Sequence, residues 1–280
     1  MGAPSILRKI GQALEARSDR VFVERRNRKL ETAYARDRKA WLQRMEVALV
    51  RGRRWFEPQH DLTMSAILVL DQAFRQSGHD DLAFVEDRIE IYRQTYFDPG
   101  LRAVRRDYDP DQHRHLPDIM EIRRYQVIEL MMIDAANADR IDAKRLLRYL
   151  QALPDGGHYG STHVVVGGLL MKRAGVELEG QIDSLIEAEI ASIAARNSEV
   201  SYAGDLFAER IFILEWFGRH DLVSPAWMIR LTRAQQKDGG WLGRSVPPFG
   251  RSNQHTTSLA MAALAQFLHA ERIRCAGRNE

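Results

Sequence analysis

Two histidines, two carboxylates and four aromatic residues have the types and spacing that could do chemistry. His163 and His255 hold equivalent places in two similar stretches. The first reads Asp155-Gly156-Gly157-His158-Tyr159-Gly160 and leads to His163. The second reads Asp238-Gly239-Gly240-Trp241-Leu242-Gly243 and reaches His255 after nine more residues. Each His then opens an apolar run. Two imidazoles delivered to one end of neighbouring helices could bind a metal or act as acid and base. They could equally cap or close their own turns. Asp205 and Glu209 are four apart and share a helix face. Such a pair could bind a cation, separate its pKa values for acid–base work, or salt-bridge to Arg or Lys on a neighbouring helix. His163, His255, Asp205 and Glu209 are therefore the catalytic candidates. Tyr159, Tyr202, Trp241 and Phe249 are the substrate-binding candidates. Phe249 sits in the insertion Arg244–Ser252, a loop that could gate the site. No pattern identifies a metal or a cofactor.

The elements that must carry these residues read as helices of two kinds. Met64–Leu70, Val127–Ile133, His163–Met171, Ile211–Phe217 and Leu259–Leu268 are apolar almost all round, so they must be buried on every side. Others are amphipathic: Ile182, Leu185, Ile186, Ile190 and Ile193 follow a helical period, as do Ile141, Leu146, Leu147 and Leu150, and Val223, Trp227, Met228 and Leu231. The two kinds alternate at intervals of about 40 to 55 residues, which indicates a repeated helical hairpin. The expected fold is all-α: an α/α toroid, an incomplete or full barrel with the apolar helices inside. An open solenoid is the other arrangement of such pairs. Turn signals fall at Asp98-Pro99-Gly100, Pro154–Gly157, Gly175, Gly180 and Asp238-Gly239-Gly240. The segment 98–117 reads as a surface excursion or a lid.

The inner-helix starts should share one end of the ring. That gives a common address to His60 and Asp61, Asp118 and Glu121, Thr162 and His163, Tyr202 with Asp205 and Glu209, and Asn253 with His255. A polar mouth over an apolar cavity is the usual form of a small-molecule site. Ser161 or Thr162, and Ser252 or Asn253, are good helix N-caps.

Composition sets the outer limits. The chain has 280 residues, 45% hydrophobic and 28% charged, with a net charge of +3, as in an ordinary globular protein. Residues 1–60 hold 15 Lys and Arg against 7 Asp and Glu. That excess suits a solvated helix face or peripheral association with an anionic membrane through residues 1–54. Nucleic acid is not expected, because the run Arg25, Arg26, Arg28, Lys29 is short and lacks interleaved aromatics. The single Cys275 excludes an intrachain disulfide framework. No apolar run has the length of a membrane span, and no signal-peptide pattern is seen. The expectation is a cytoplasmic protein divided as 1–26 (a basic N-terminal helix or extension), 27–272 (the toroid) and 273–280 (a polar tail).

Trp227, Leu231, Gln235, Asp238, Gly239, Gly240 and Trp241 resemble the "QW" repeat of squalene and oxidosqualene cyclases. In that family a Gln and a Gly-x-Trp turn tie adjacent hairpins together. The helix start at His255 is similar to that of protein prenyltransferase β subunits, where a His binds zinc. The resemblance covers residues 141–269 and is architectural only over 57–140. It implies a toroid of the terpene cyclase and prenyltransferase repeat type, binding or transforming an apolar, isoprenoid-like small molecule in its lumen. The chain departs from both families. It has no Asp-x-Asp-Asp acid motif, and Cys275 lies in the tail, away from any zinc site of the prenyltransferase kind. Asp80-Asp81 and the alternating Asp107, Asp109 and Asp111 read better as a helix start and a solvated loop. Two other functions fit the same pattern: a non-catalytic binding or scaffold protein, and a polysaccharide-acting enzyme using Asp205 and Glu209.

Overall fold

The computed structural model describes residues 3–59, 62–95, 143–152, 159–173, 178–243 and 251–277. These form ten α-helices and two short 3₁₀ turns, with no strand among the described residues. The helices are α1 (Ala3–Arg36), α2 (Arg38–Phe56), α3 (Met64–Ser77), α4 (Val85–Thr95), α5 (Ala143–Ala152), α6 (Gly160–Arg173), α7 (Gln181–Glu199), α8 (Asp205–Trp216), α9 (Pro225–Ala234) and α10 (Gln254–Ala276). None is long and apolar enough to cross a membrane.

Local chemistry sets the helix ends. Asp37 breaks α1 from α2 and accepts from the Ala40 amide at 3.3 Å. Thr63 caps α3, which stops at Gly78 in the left-handed region. Ser224 caps α9, with Pro225 at its first position, where a missing N–H costs nothing. Asn253 caps α10 through the Thr256 amide at 2.8 Å. It is thus Asn253, not Ser252, that opens this helix. α6 begins earlier than its sequence suggests. Ser161 and Thr162 already lie in its first turn, and the His163 amide bonds the Tyr159 carbonyl.

Packing follows the two helix kinds. α10 is buried continuously from Thr256 to Leu268, so other helices must surround it. α3 and α8 flank it, and α2 and α9 cover it. α8 in turn meets α6. The apolar helices α6, α8, α10 and α3 are therefore successive neighbours. The amphipathic helices α7, α9 and α2 pack onto them. Val127–Ile133, the remaining apolar run, lies outside the described residues. So do the turn signals at 98–100, 154–157 and 175, the 98–117 segment and the Asp107, Asp109, Asp111 series. Leu147 and Leu150 of α5 are buried as their stripe requires. Asp80 and Asp81 open a 3₁₀ turn capped by His79 rather than a full helix.

The first hairpin meets the last helix. α2 and α3 both pack on α10, although nearly 200 residues separate them in sequence. Gly52 of α2 makes this approach possible. A Cβ there would stand 2.7 Å from the Met261 sulfur. α1 lies across α7, α9 and α2. Its Asn27 donates to the Ser198 carbonyl at 3.3 Å and accepts from Arg230 at 3.3 Å. Glu31 accepts from the Ser224 hydroxyl at 2.7 Å. α1 runs unbroken from Ala3 to Arg36.

The Gln235–Trp241 stretch acts as a clasp in this fold. The Gln235 amide donates to the Ala48 carbonyl of α2 at 2.8 Å and to the Gly239 carbonyl at 2.7 Å. The Trp241 indole donates to the Leu231 carbonyl of α9 at 2.8 Å, and its backbone amide to the Thr257 hydroxyl of α10 at 3.0 Å. Asp238 accepts from the Gly240 amide and the Ser252 hydroxyl. Gly239 sits at φ +99°, and a Cβ there would come within 2.5 Å of the Arg51 carbonyl. One turn thus joins α2, α9 and α10. Trp241 is fully buried within it.

Candidate functional site

Four polar residues converge where α6, α8 and α10 begin. α8 starts at Asp205, whose amide bonds the Gly243 carbonyl at 3.1 Å. Its carboxylate lies in the first turn, where the helix dipole favours negative charge. One Asp205 oxygen accepts from the His255 Nδ1 at 2.8 Å and from the Thr256 hydroxyl at 2.6 Å, both on α10. The other accepts from the Tyr159 hydroxyl at 2.9 Å, at the entrance to α6. Burial alone would raise the Asp205 carboxyl, but His255, Thr256 and Tyr159 outweigh burial and hold it below the usual range. Asp205 is thus an anion that accepts three hydrogen bonds, two on one oxygen and one on the other.

Glu209 lies one helical turn further in and is only 8% exposed. Burial pushes its carboxyl up to about 7, against the opposing pull of Thr162 and of the His255 charge, with the Asp205 anion adding to the rise. The Thr162 hydroxyl, at the start of α6, donates to the Tyr159 carbonyl at 2.9 Å.

The two imidazoles are shifted in opposite senses. Burial would lower His255, but its bond to Asp205 and the nearby Asp205 and Glu209 charges raise it. Burial lowers His163, and the His255 charge lowers it further. His163 is therefore the neutral member and His255 the readily protonated one. The His163 ring lies 6.1 Å from the Tyr159 ring. Environments that drive like groups apart are found in acid–base sites and in structural ion-pair networks alike.

The ligand atoms of Asp205, Glu209 and His255 all lie within 4.8 Å of one another. This oxygen, oxygen and nitrogen set has the composition a divalent transition metal accepts. A cation there would need His255 to use its second ring nitrogen or to release Asp205.

The expected site residues separate into groups. His163, His255, Asp205, Glu209 and Tyr159 are in mutual electrostatic or hydrogen-bond reach. Tyr202 is exposed at the rim, with its ring against Gly204, where a Cβ would stand 2.6 Å away. Trp241 must be reassigned. It was expected to face a substrate, but it is fully buried and its indole holds the Leu231 carbonyl, so it presents no free face. Phe249 and most of the 244–252 insertion lie outside the described residues, as do His60, Asp61, Asp118, Glu121, His158, His113 and His115. Glu215, the other carboxylate on an apolar helix, is not part of the cluster and pairs with His220. Thr256 was missed by sequence reasoning. Its signal was a hydroxyl beside His255 in the first turn of a buried helix.

Compared with known families, curated proteins and solved structures, the chain matches none of them.

Proposed function

We propose that the chain is an α/α toroid of the terpene cyclase and prenyltransferase repeat type, which binds or transforms an apolar, isoprenoid-like small molecule at the polar end of its lumen. One observation carries the reading: Asp205, Glu209 and His255 converge from the starts of adjacent apolar helices, with Thr162 and Tyr159 from a third. The alternation of apolar and amphipathic helices supports closure into a ring, as does the packing of the first hairpin on the last helix. The Gln235–Trp241 clasp joins hairpins in the manner that the cyclase resemblance implies.

In this reading Glu209 is the proton donor. Burial raises its carboxyl to about 7, so it keeps a large share of its proton near neutrality. The Asp205–His255 pair is its counterpart. Asp205 fixes the imidazole through Nδ1 and leaves the other ring nitrogen to take or give a proton. Tyr159 and Tyr202 border the approach.

A second reading is favoured by the three donors that Asp205 accepts from α10 and the entrance to α6, which is also what a structural clasp between α6, α8 and α10 would show. A polysaccharide-acting site is less well supported. Trp241 is lost as a platform, because its ring is fully buried.

The experiment is a thermal-shift and isothermal titration series with geraniol, farnesol and geranylgeraniol against the wild type and Glu209→Gln. The proposal expects saturable binding by at least one alcohol, weakened in the variant. No binding by any of them, or equal binding to both proteins, refutes the site and leaves the clasp.

A further inference from the structure

α1 turns to solvent a face on which nothing packs among the described residues. Its inward face is settled: Val23, Asn27, Leu30 and Tyr34 are buried, Asn27 against α7 and α9 and Tyr34 against Phe267 and Glu271 of α10. At about 100° per residue, Phe22, Lys29, Arg36, Arg25, Val21 and Arg28 fall in that angular order within one sector of about 120°, on the other side of the helix. All six are exposed, Val21 by 56% and Phe22 by 66%. Between residues 21 and 36 no acid shares the sector. Glu24 and Glu31 point elsewhere and are engaged, Glu24 with Arg20 at 3.2 Å and Glu31 with the Ser224 hydroxyl at 2.7 Å. The sector therefore presents four cations around two apolar side chains.

We infer that this face of α1 docks the protein on an anionic lipid surface. The arrangement matches what such a surface takes. Exposed Lys and Arg are attracted to a negative leaflet, and each strengthens binding severalfold. Val21 and Phe22 would enter the headgroup boundary while the cations stay at phosphate level. A nucleic acid would engage the four cations but leave Val21 and Phe22 without a role, since one phenyl ring on a convex helix is not a stacking platform. The inference stands apart from the Asp205 cluster and does not depend on what the cluster does.

The test is co-sedimentation of the full chain with large unilamellar vesicles of pure phosphatidylcholine and of phosphatidylcholine with phosphatidylserine. Single-stranded RNA is run as a competitor. The wild type is expected to bind the mixed vesicles and not the neutral ones, and to release as salt shortens the Debye length. Arg25→Glu with Lys29→Glu should cut partitioning by about tenfold or more. Phe22→Ala should weaken binding while keeping its salt dependence. All these positions are exposed, and an unchanged urea midpoint confirms that the variants fold. A double variant that fails to fold is replaced by Arg25→Gln with Lys29→Gln, for which a smaller loss is expected. Binding to neutral vesicles with equal affinity overturns the inference. So does binding that the folded variants leave intact, binding to RNA alone, or no binding at all.

Discussion

Replacing Glu209 by Gln gives the most informative perturbation of the cluster. Gln keeps the size but cannot ionise. In the wild type the carboxyl rises from its ordinary 4.5 to about 7 on folding. A group whose folded pKa is raised stabilises fully below its unfolded pKa and loses that contribution as pH rises through the folded value. The window thus runs from about pH 4.5 to about pH 7. At about 1.36 kcal/mol per unit, a shift of roughly 2.5 units is worth about 3 kcal/mol across that window. His255 is also raised, in part by the Glu209 charge, and its contribution likewise favours the fold only until pH passes its pKa, so the difference between the two proteins reports Glu209 together with its coupling to His255. Asp205, being lowered, loses its stabilisation only at acid pH, below the window. The assay is urea unfolding of both proteins at about pH 5 and about pH 8. The wild type should lose about 2–3 kcal/mol relative to the Gln variant between those points. A parallel pH dependence for the two proteins would show that Glu209 ionises normally, and the acid role would fall with it.

Other expectations test the scaffold. Trp241→Ala should cost about 3–5 kcal/mol in urea unfolding, since it empties a fully buried site and orphans the Leu231 carbonyl. Gln235→Ala removes bonds to Ala48 and Gly239 and should cost about 1–3 kcal/mol. Neither change should abolish binding of an alcohol that the folded protein takes up. Gly239→Ala should destabilise by about 2 kcal/mol or more, because φ is +99° and the new Cβ would meet the Arg51 carbonyl. A loss below about 0.5 kcal/mol in any of the three, by the same assay, would remove that residue from the clasp.

Much of the helical framework could be read from residue patterning, because burial leaves a direct mark on composition. α3, α6, α8 and α10 carry apolar residues all round, and a helix of that kind has no solvent-compatible face. α7 and α9 show their buried stripe at a helical period, as Ile182, Ile186, Ile190 and Ile193 do. The pairing of Asp205 with Glu209 was legible because positions four apart on a helix must share a face. The partners that shift their pKa values were not. Thr256, Thr162 and Tyr159 reach the cluster across three helices, and no spacing within one helix encodes that. Trp241 misled for a related reason. A Trp after a glycine turn can face a ligand or the core, and only the position of the Leu231 carbonyl decides between them. The sequence places the start of α6 slightly late, since Ser161 and Thr162 are good caps by type, yet the helix already begins at Gly160, one residue before Ser161.

The most direct test of the convergence is a heteronuclear NMR titration of the His163 and His255 imidazoles in the wild type and in Asp205→Asn. The account predicts His255 above the ordinary 6.5 and His163 below it, with His255 falling when Asp205 loses its charge. Two histidines titrating together near the ordinary value, or a His255 indifferent to Asp205, would contradict it.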